Sequence, residues 1–147
     1  MNEKEYLEKL KSELLNTTNW QSPQMTRKWA STIPATAGVY VFKEGEEIVY
    51  VGETGNLRKR MIDLLDSRHH TIRRTIGQKF YSKLEGYTAA TTKNKFPTHI
   101  EQCVNNHLCT KYKVAFKAIS LGRKELEESI ESMINTSKKL NKRGKRK

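Results

Sequence analysis

The stretch from Gly38 to Gly52, GVYVFKEGEEIVYVG, constrains the fold more than any other part of the chain. Two runs of β-branched and aromatic residues flank a short charged linker with one glycine, the signature of a β-hairpin. A turn centred on Gly45 sets Phe42 opposite Ile48 and Tyr40 opposite Tyr50. Directly opposed residues share a sheet face, so the two phenols lie side by side while Val39, Val41, Val49 and Val51 fill the other face. A slip of one residue would separate the tyrosines.

Beyond Gly52 and Gly55 the pattern changes from strand to helix. Asn56 is a suitable N-cap, and Leu57, Met61, Leu64 and Leu65 follow at helical spacing. Arg60 lies at the edge of that stripe, while Arg58 and Lys59 point elsewhere. Two readings fit Arg60: a bidentate clamp on a phosphate, or an arginine snorkelling from an ordinary amphipathic helix.

The rest of the chain supplies helices and one more strand. Tyr6, Leu7, Leu10, Leu14 and Leu15 form a stripe over residues 3–15. Residues 16–37 read as connector, with Trp20 and Trp29 as anchors. Short helices are expected over 70–80, with Ile72 and Ile76 inward, and over 98–108. The alternation in KYKVAFKAI predicts a strand over 111–119. GRKELEESIESMINTS predicts a last helix with Leu126, Ile130, Met133 and Ile134 inward. The expected fold is α+β: a small mixed or antiparallel sheet of about three strands flanked by helices. One domain is expected over 1–147, with a helical extension over 1–30, a core over 33–141 with an insert at about 82–110, and a basic tail over 142–147.

Composition narrows the partners. Lysine and arginine number 28 against 16 acids, a net charge of +12. Nucleic acid rewards such a surplus through counterion release. No apolar run reaches the roughly 20 residues of a membrane span, so no membrane partner is expected. Cys103 and Cys109 are too few for a disulfide scaffold and read as reduced thiols of a cytoplasmic protein. CVNNHLC lacks the spacing of a zinc site and reads as a short helix. RHHTIRR, with His70, Arg73 and Arg74, reads as a phosphate-contacting strip.

The combination GVY at 38–40, YVG at 50–52 and an arginine ten residues past Tyr50 resembles the GIY-YIG endonucleases. The likeness is close over 33–80 and looser over 112–142. It implies a GIY-YIG nuclease-like fold and a metal-dependent DNA endonuclease that hydrolyses phosphodiester bonds. Tyr40 or Tyr50 would act as general base or orient the attacking water. Arg60 would stabilise charge on the scissile phosphate. Glu127, which follows Leu126 and shares a face with Ile130 and Ile134, would hold one Mg²⁺, with Mn²⁺ as substitute. Asn141 matches the family's asparagine in type and joins Arg58, Lys59, His70, Arg73 and Arg74 as an expected nucleic-acid contact. Many relatives carry a histidine one turn after the arginine; here that position is Leu64, and either His69 or His70 substitutes from the next segment, or Lys59 or a tyrosine suffices. The context expected is restriction-type or mobile-element rather than repair, with a homodimer if both strands are cut. A non-catalytic nucleic-acid-binding module on a decayed nuclease fold is the alternative. A basic partner-binding protein is a third reading, which predicts no salt-dependent DNA binding.

Overall fold

The computed structural model describes residues 2–16 and 19–141. The basic tail over 142–147 lies outside the described residues. The elements in chain order are α1 (Glu3–Leu14), α2 (Arg27–Ala30), β1 (Gly38–Glu44), β2 (Glu47–Thr54), α3 (Leu57–Asp63), α4 (Thr71–Tyr81), α5 (Thr98–Lys111), β3 (Lys113–Ala118) and α6 (Arg123–Glu131). The fold is α+β. Its three strands run in the order β2-β1-β3, and both pairings are antiparallel.

The hairpin forms, but in a different register from the one expected. Gly45 takes φ +59 at the first of two turn positions, where a two-residue hairpin loop favours glycine. Glu44 therefore pairs with Glu47 and Lys43 with Ile48, one residue off the expected alignment. A bulge between Phe42 and Lys43 adds a second offset, so Phe42 pairs with Tyr50 and Tyr40 with Gly52. The two offsets sum to an even shift and preserve faces. Tyr40 and Tyr50 remain neighbours, now diagonal rather than opposed. The bulge also redirects Val49, which joins the tyrosine side instead of the valine side.

The sheet separates two cores. On one face Tyr40, Phe42 and Tyr50 pack beneath α2, α3, α4 and α5, against Trp29, Leu57, Met61 and Ile76. On the other face Val39, Val41, Val51 and Ala115 meet α1 and α6 through Leu10, Leu14, Leu126 and Ile130. Leu57, Met61 and Leu64 are fully buried, and each contributes about 1.5–3 kcal/mol. The Asn56 side chain accepts from the Lys59 amide and starts α3 as expected. Two local expectations differ. Part of the 16–37 connector forms the short helix α2, capped by Thr26. Met133 is 52% exposed, because α6 stops at Glu131 and the helical register that would have turned it inward ends there.

Both sheet edges are covered, which blunts their tendency to pair with other chains. Gln21 exchanges two backbone hydrogen bonds with Val114 on β3, at 2.9 and 2.8 Å. On β2, the Leu140 amide donates to the Val49 carbonyl at 2.8 Å. No described helix is long and apolar enough to cross a membrane.

Candidate active site

β1 and β2 bring Tyr40 and Tyr50 together with ring centroids 6.1 Å apart and planes at 28°. Gly52 makes this possible. A Cβ at that position would overlap the Tyr40 ring, so the phenol lies directly across the backbone of β2. α3 then delivers Arg60. Its Nε donates to Tyr40 Oη at 3.3 Å, while one terminal nitrogen donates to the His69 carbonyl at 2.9 Å and to Asp63 at 3.2 Å. These three bonds fix the guanidinium at the buried edge of the helix. Arg60 is thus a held cation, not a snorkelling side chain.

His70 completes the group. Its Nε2 lies 3.0 Å from Tyr40 Oη, and the ring is fully buried. As N-cap of α4 it accepts the Ile72 amide on Nδ1 at 3.2 Å. With Nδ1 occupied as acceptor, the proton of the neutral ring sits on Nε2 and points at Tyr40. Burial, then the charges of Arg60, Arg74 and Arg73, hold the imidazole well below its usual titration range, so it is neutral. Tyr40 Oη therefore receives two N–H groups, from His70 and Arg60, and its own proton is left to donate elsewhere.

Burial, then Tyr50, push Tyr40 well above the usual phenol range, with Arg60 acting in the opposite sense. Tyr50 is also raised by burial, opposed by Arg60 and reinforced by the charge of Glu127. Burial alone would lower Arg60, but the phenols of Tyr40 and Tyr50 and the Asp63 carboxylate outweigh it, and the guanidinium is held charged. Both phenols are protonated at neutral pH.

Glu127 sits on α6 and is 5% exposed. Its charge is felt at Tyr50, where it adds to the effect of burial in raising the phenol. Among the described residues no three His, Cys, Asp or Glu side chains converge as a metal cage. The single buried carboxylate of Glu127 is a hard oxygen donor, of the kind that holds a hard cation when waters and phosphate oxygens complete its shell.

The remaining expected contacts separate. Lys59 is exposed. Arg58 Nε donates to the Ile33 carbonyl at 2.8 Å, tying α3 to the preceding loop. Arg74 is half-buried and is held by the carbonyls of Ser67 and Arg68 at 2.9 and 3.0 Å. Arg73 is different from the expectation. It is 1% exposed and paired with Glu101 at 2.6 Å and Asn105 at 2.7 Å, so it locks α4 to α5 and does not face a ligand. His70 likewise faces Tyr40 and not solvent. Asn141 Oδ1 accepts from the Val51 amide at 3.1 Å and Nδ2 donates to the Val51 carbonyl at 2.8 Å. It extends the sheet edge like one more strand residue. The cysteines are free thiols on α5, and the neighbouring His107 bonds Tyr81 at 3.0 Å and Tyr112 at 3.1 Å.

Sequence reasoning set no role for Asp63 and expected Gly52 to turn the chain toward phosphate, whereas Gly52 lies inside β2. Asp63 stands three residues after Arg60 on one helix, a spacing at which opposite charges meet. The need for glycine at 52 depends on the bulged register and has no local signal.

Comparison with known proteins gives one partial likeness. The chain is 42% identical over 50 residues to UvrABC system protein C of Natronomonas pharaonis. That stretch is 34% of this chain and 9% of that protein, so the chain spans a small part of the relative's length. No family model matches the chain, and no solved structure matches it.

Proposed function

We propose that the chain is a metal-dependent DNA endonuclease of the GIY-YIG type, with its centre at Tyr40, Tyr50, Arg60 and Glu127. The observation that supports this reading best is the cluster around Tyr40 Oη. A buried phenol receives N–H groups from Arg60 and His70 and is stacked against a second phenol that feels the charge of the buried Glu127 carboxylate. A purely structural tyrosine pair does not require a fixed guanidinium and a tautomer-fixed imidazole on one oxygen. The net charge of +12 and the partial likeness to UvrABC system protein C favour DNA as the substrate.

The residues divide the work. Arg60 lies where it can hold a non-bridging phosphate oxygen and offset the charge that builds there. Tyr40 orients or deprotonates the attacking water, and the two N–H groups on its oxygen hold the phenolate once it forms. His70 is a positioning residue: it donates to Tyr40 and takes up the place of the histidine missing at Leu64. Glu127 would hold a single Mg²⁺, or Mn²⁺ in its place. When bound, the ion would supply Lewis-acid stabilisation of the phosphate and ease the ionisation of nearby O–H groups. Lys59 and Arg74 would contact flanking phosphates. A single centre of this kind nicks one strand, so cutting both strands calls for a homodimer or a second binding event. A restriction or mobile-element role and a cytoplasmic location belong to the same proposal.

The test is supercoiled plasmid incubated with wild type and Glu127→Ala, in Mg²⁺ and in EDTA. The proposal expects nicking by wild type in Mg²⁺ only, and loss of about 10²-fold or more in Glu127→Ala. Salt-sensitive DNA binding without cleavage in either metal would favour the binding-module alternative.

A further inference from the structure

A second polar feature lies beside the tyrosine cluster and is not used by it. α4 and the segment after it line an open cavity of about 730 Å³, with Thr71, Arg74, Thr75 and Gln78 on the helix side and Tyr87 and Ala90 on the other. That volume is in the range of small-molecule sites. Thr71 follows His70 directly, so the cavity begins one residue from the group that touches Tyr40.

Three observations give the cavity a chemistry. Arg74 enters it as a fixed cation, because the Ser67 and Arg68 carbonyls and Thr71 Oγ1 hold its guanidinium at 2.9, 3.0 and 3.3 Å. Those partners are neutral, so its charge is not cancelled by them. Tyr87 supplies an aromatic wall whose orientation is set from behind by Phe96, with ring centroids 5.8 Å apart. Thr75 is 5% exposed, and its hydroxyl has no hydrogen-bond partner. A buried hydroxyl left unmatched is costly unless a ligand supplies the partner.

We infer that this cavity takes one unpaired nucleotide of a DNA substrate. This rests on the nuclease reading only in taking DNA as the ligand. The aromatic wall offers a face to a base, the hydroxyl and the Gln78 amide reach its polar edge, and Arg74 meets its phosphate. A base inside a duplex is stacked and cannot enter. A bulged, mismatched or single-stranded base can. The site therefore selects DNA that is locally unpaired next to the position attacked by the Tyr40 centre.

The probe is a DNA hairpin with one unpaired 2-aminopurine, compared with the same hairpin in which 2-aminopurine is paired with thymine, both in EDTA. Wild type should bind the unpaired form about tenfold more tightly, with a change in 2-aminopurine emission as the base stacks. Thr75→Val keeps the shape of the side chain and removes the unmatched hydroxyl. It should melt no lower than wild type and lose most of the preference. Tyr87→Leu should abolish the emission change while keeping binding to paired DNA. Equal affinity for the two hairpins, or no binding to either at low salt, would overturn the inference. So would a preference that survives both substitutions. Plasmid nicking by the same preparations reports separately on the catalytic centre. A selective binder that never cuts leaves this inference standing, and an enzyme that cuts paired DNA without preference refutes it alone.

Discussion

Tyr40 shows how much one side chain can depend on others far away in sequence. Its hydroxyl meets His70, thirty residues on, and Arg60, twenty residues on. The two tyrosines and the arginine were legible in the chain, because strand alternation and a helical stripe place them without tertiary information. Arg73 was not, and His70 was legible only as one of several substitutes for the histidine missing at Leu64. Both sit in RHHTIRR, whose charge suggests an exposed strip, yet one caps α4 under the sheet and the other pairs with Glu101 on a helix that only the fold brings near. The raised phenols carry a kinetic consequence. With ionisation held above the usual range, the active phenolate is scarce at neutral pH and grows with alkalinity. The single-turnover cleavage rate should rise about tenfold per pH unit from pH 7 to 9, and Tyr40→Phe should abolish most of that slope as well as most of the rate. A flat profile in wild type would mean that neither phenol loses a proton on the way to cleavage.

At the scale of elements, the hairpin teaches the most. Its existence and its faces follow from composition, but its register depends on the turn at Gly45 and the bulge beside Lys43. Two offsets were missed and their sum was harmless, because only an odd shift exchanges faces. Val49 records the error, since the bulge moves it to the tyrosine side. Asn141 shows the reverse case, a residue matched by resemblance to DNA contact that the fold uses to finish an edge. Its side chain satisfies both polar groups of Val51. Asn141→Ala should cost about 1–2 kcal/mol in urea unfolding, the sum of two ordinary net hydrogen bonds. It should also speed hydrogen exchange at Val51. An unchanged midpoint and unchanged exchange would show that the edge does not need it.

The whole molecule is two cores on one sheet, with the candidate centre on the tyrosine face and Glu127 brought in from α6 on the other side. Charge and length indicated a single basic nucleic-acid-binding domain; the division into two cores required the topology. Two buried histidines give the fold an acid limit. His70 is held well below its ordinary value by burial and nearby arginines, and burial lowers His107 to about 4. A histidine depressed in the folded state leaves stability intact above the unfolded value of about 6.5 and removes it as pH falls below that. Each contributes a slope of about 1.4 kcal/mol per pH unit in that window. Denaturant midpoints should therefore be level from pH 7 to 8 and fall steadily from about pH 6.5 toward 4. His107→Gln should flatten part of that fall; an equal slope in the variant would place the titrating group elsewhere.

Arg60 is expected to act on a phosphate and to do more than brace Tyr40. The most direct measurement is the single-turnover cleavage rate of supercoiled plasmid by Arg60→Ala and wild type in Mg²⁺, with DNA affinity and melting temperature measured on the same preparations. The expected result is a rate loss of about 10²–10³ with affinity changed only a fewfold and the fold retained. A folded Arg60→Ala that binds and cuts like wild type would contradict it.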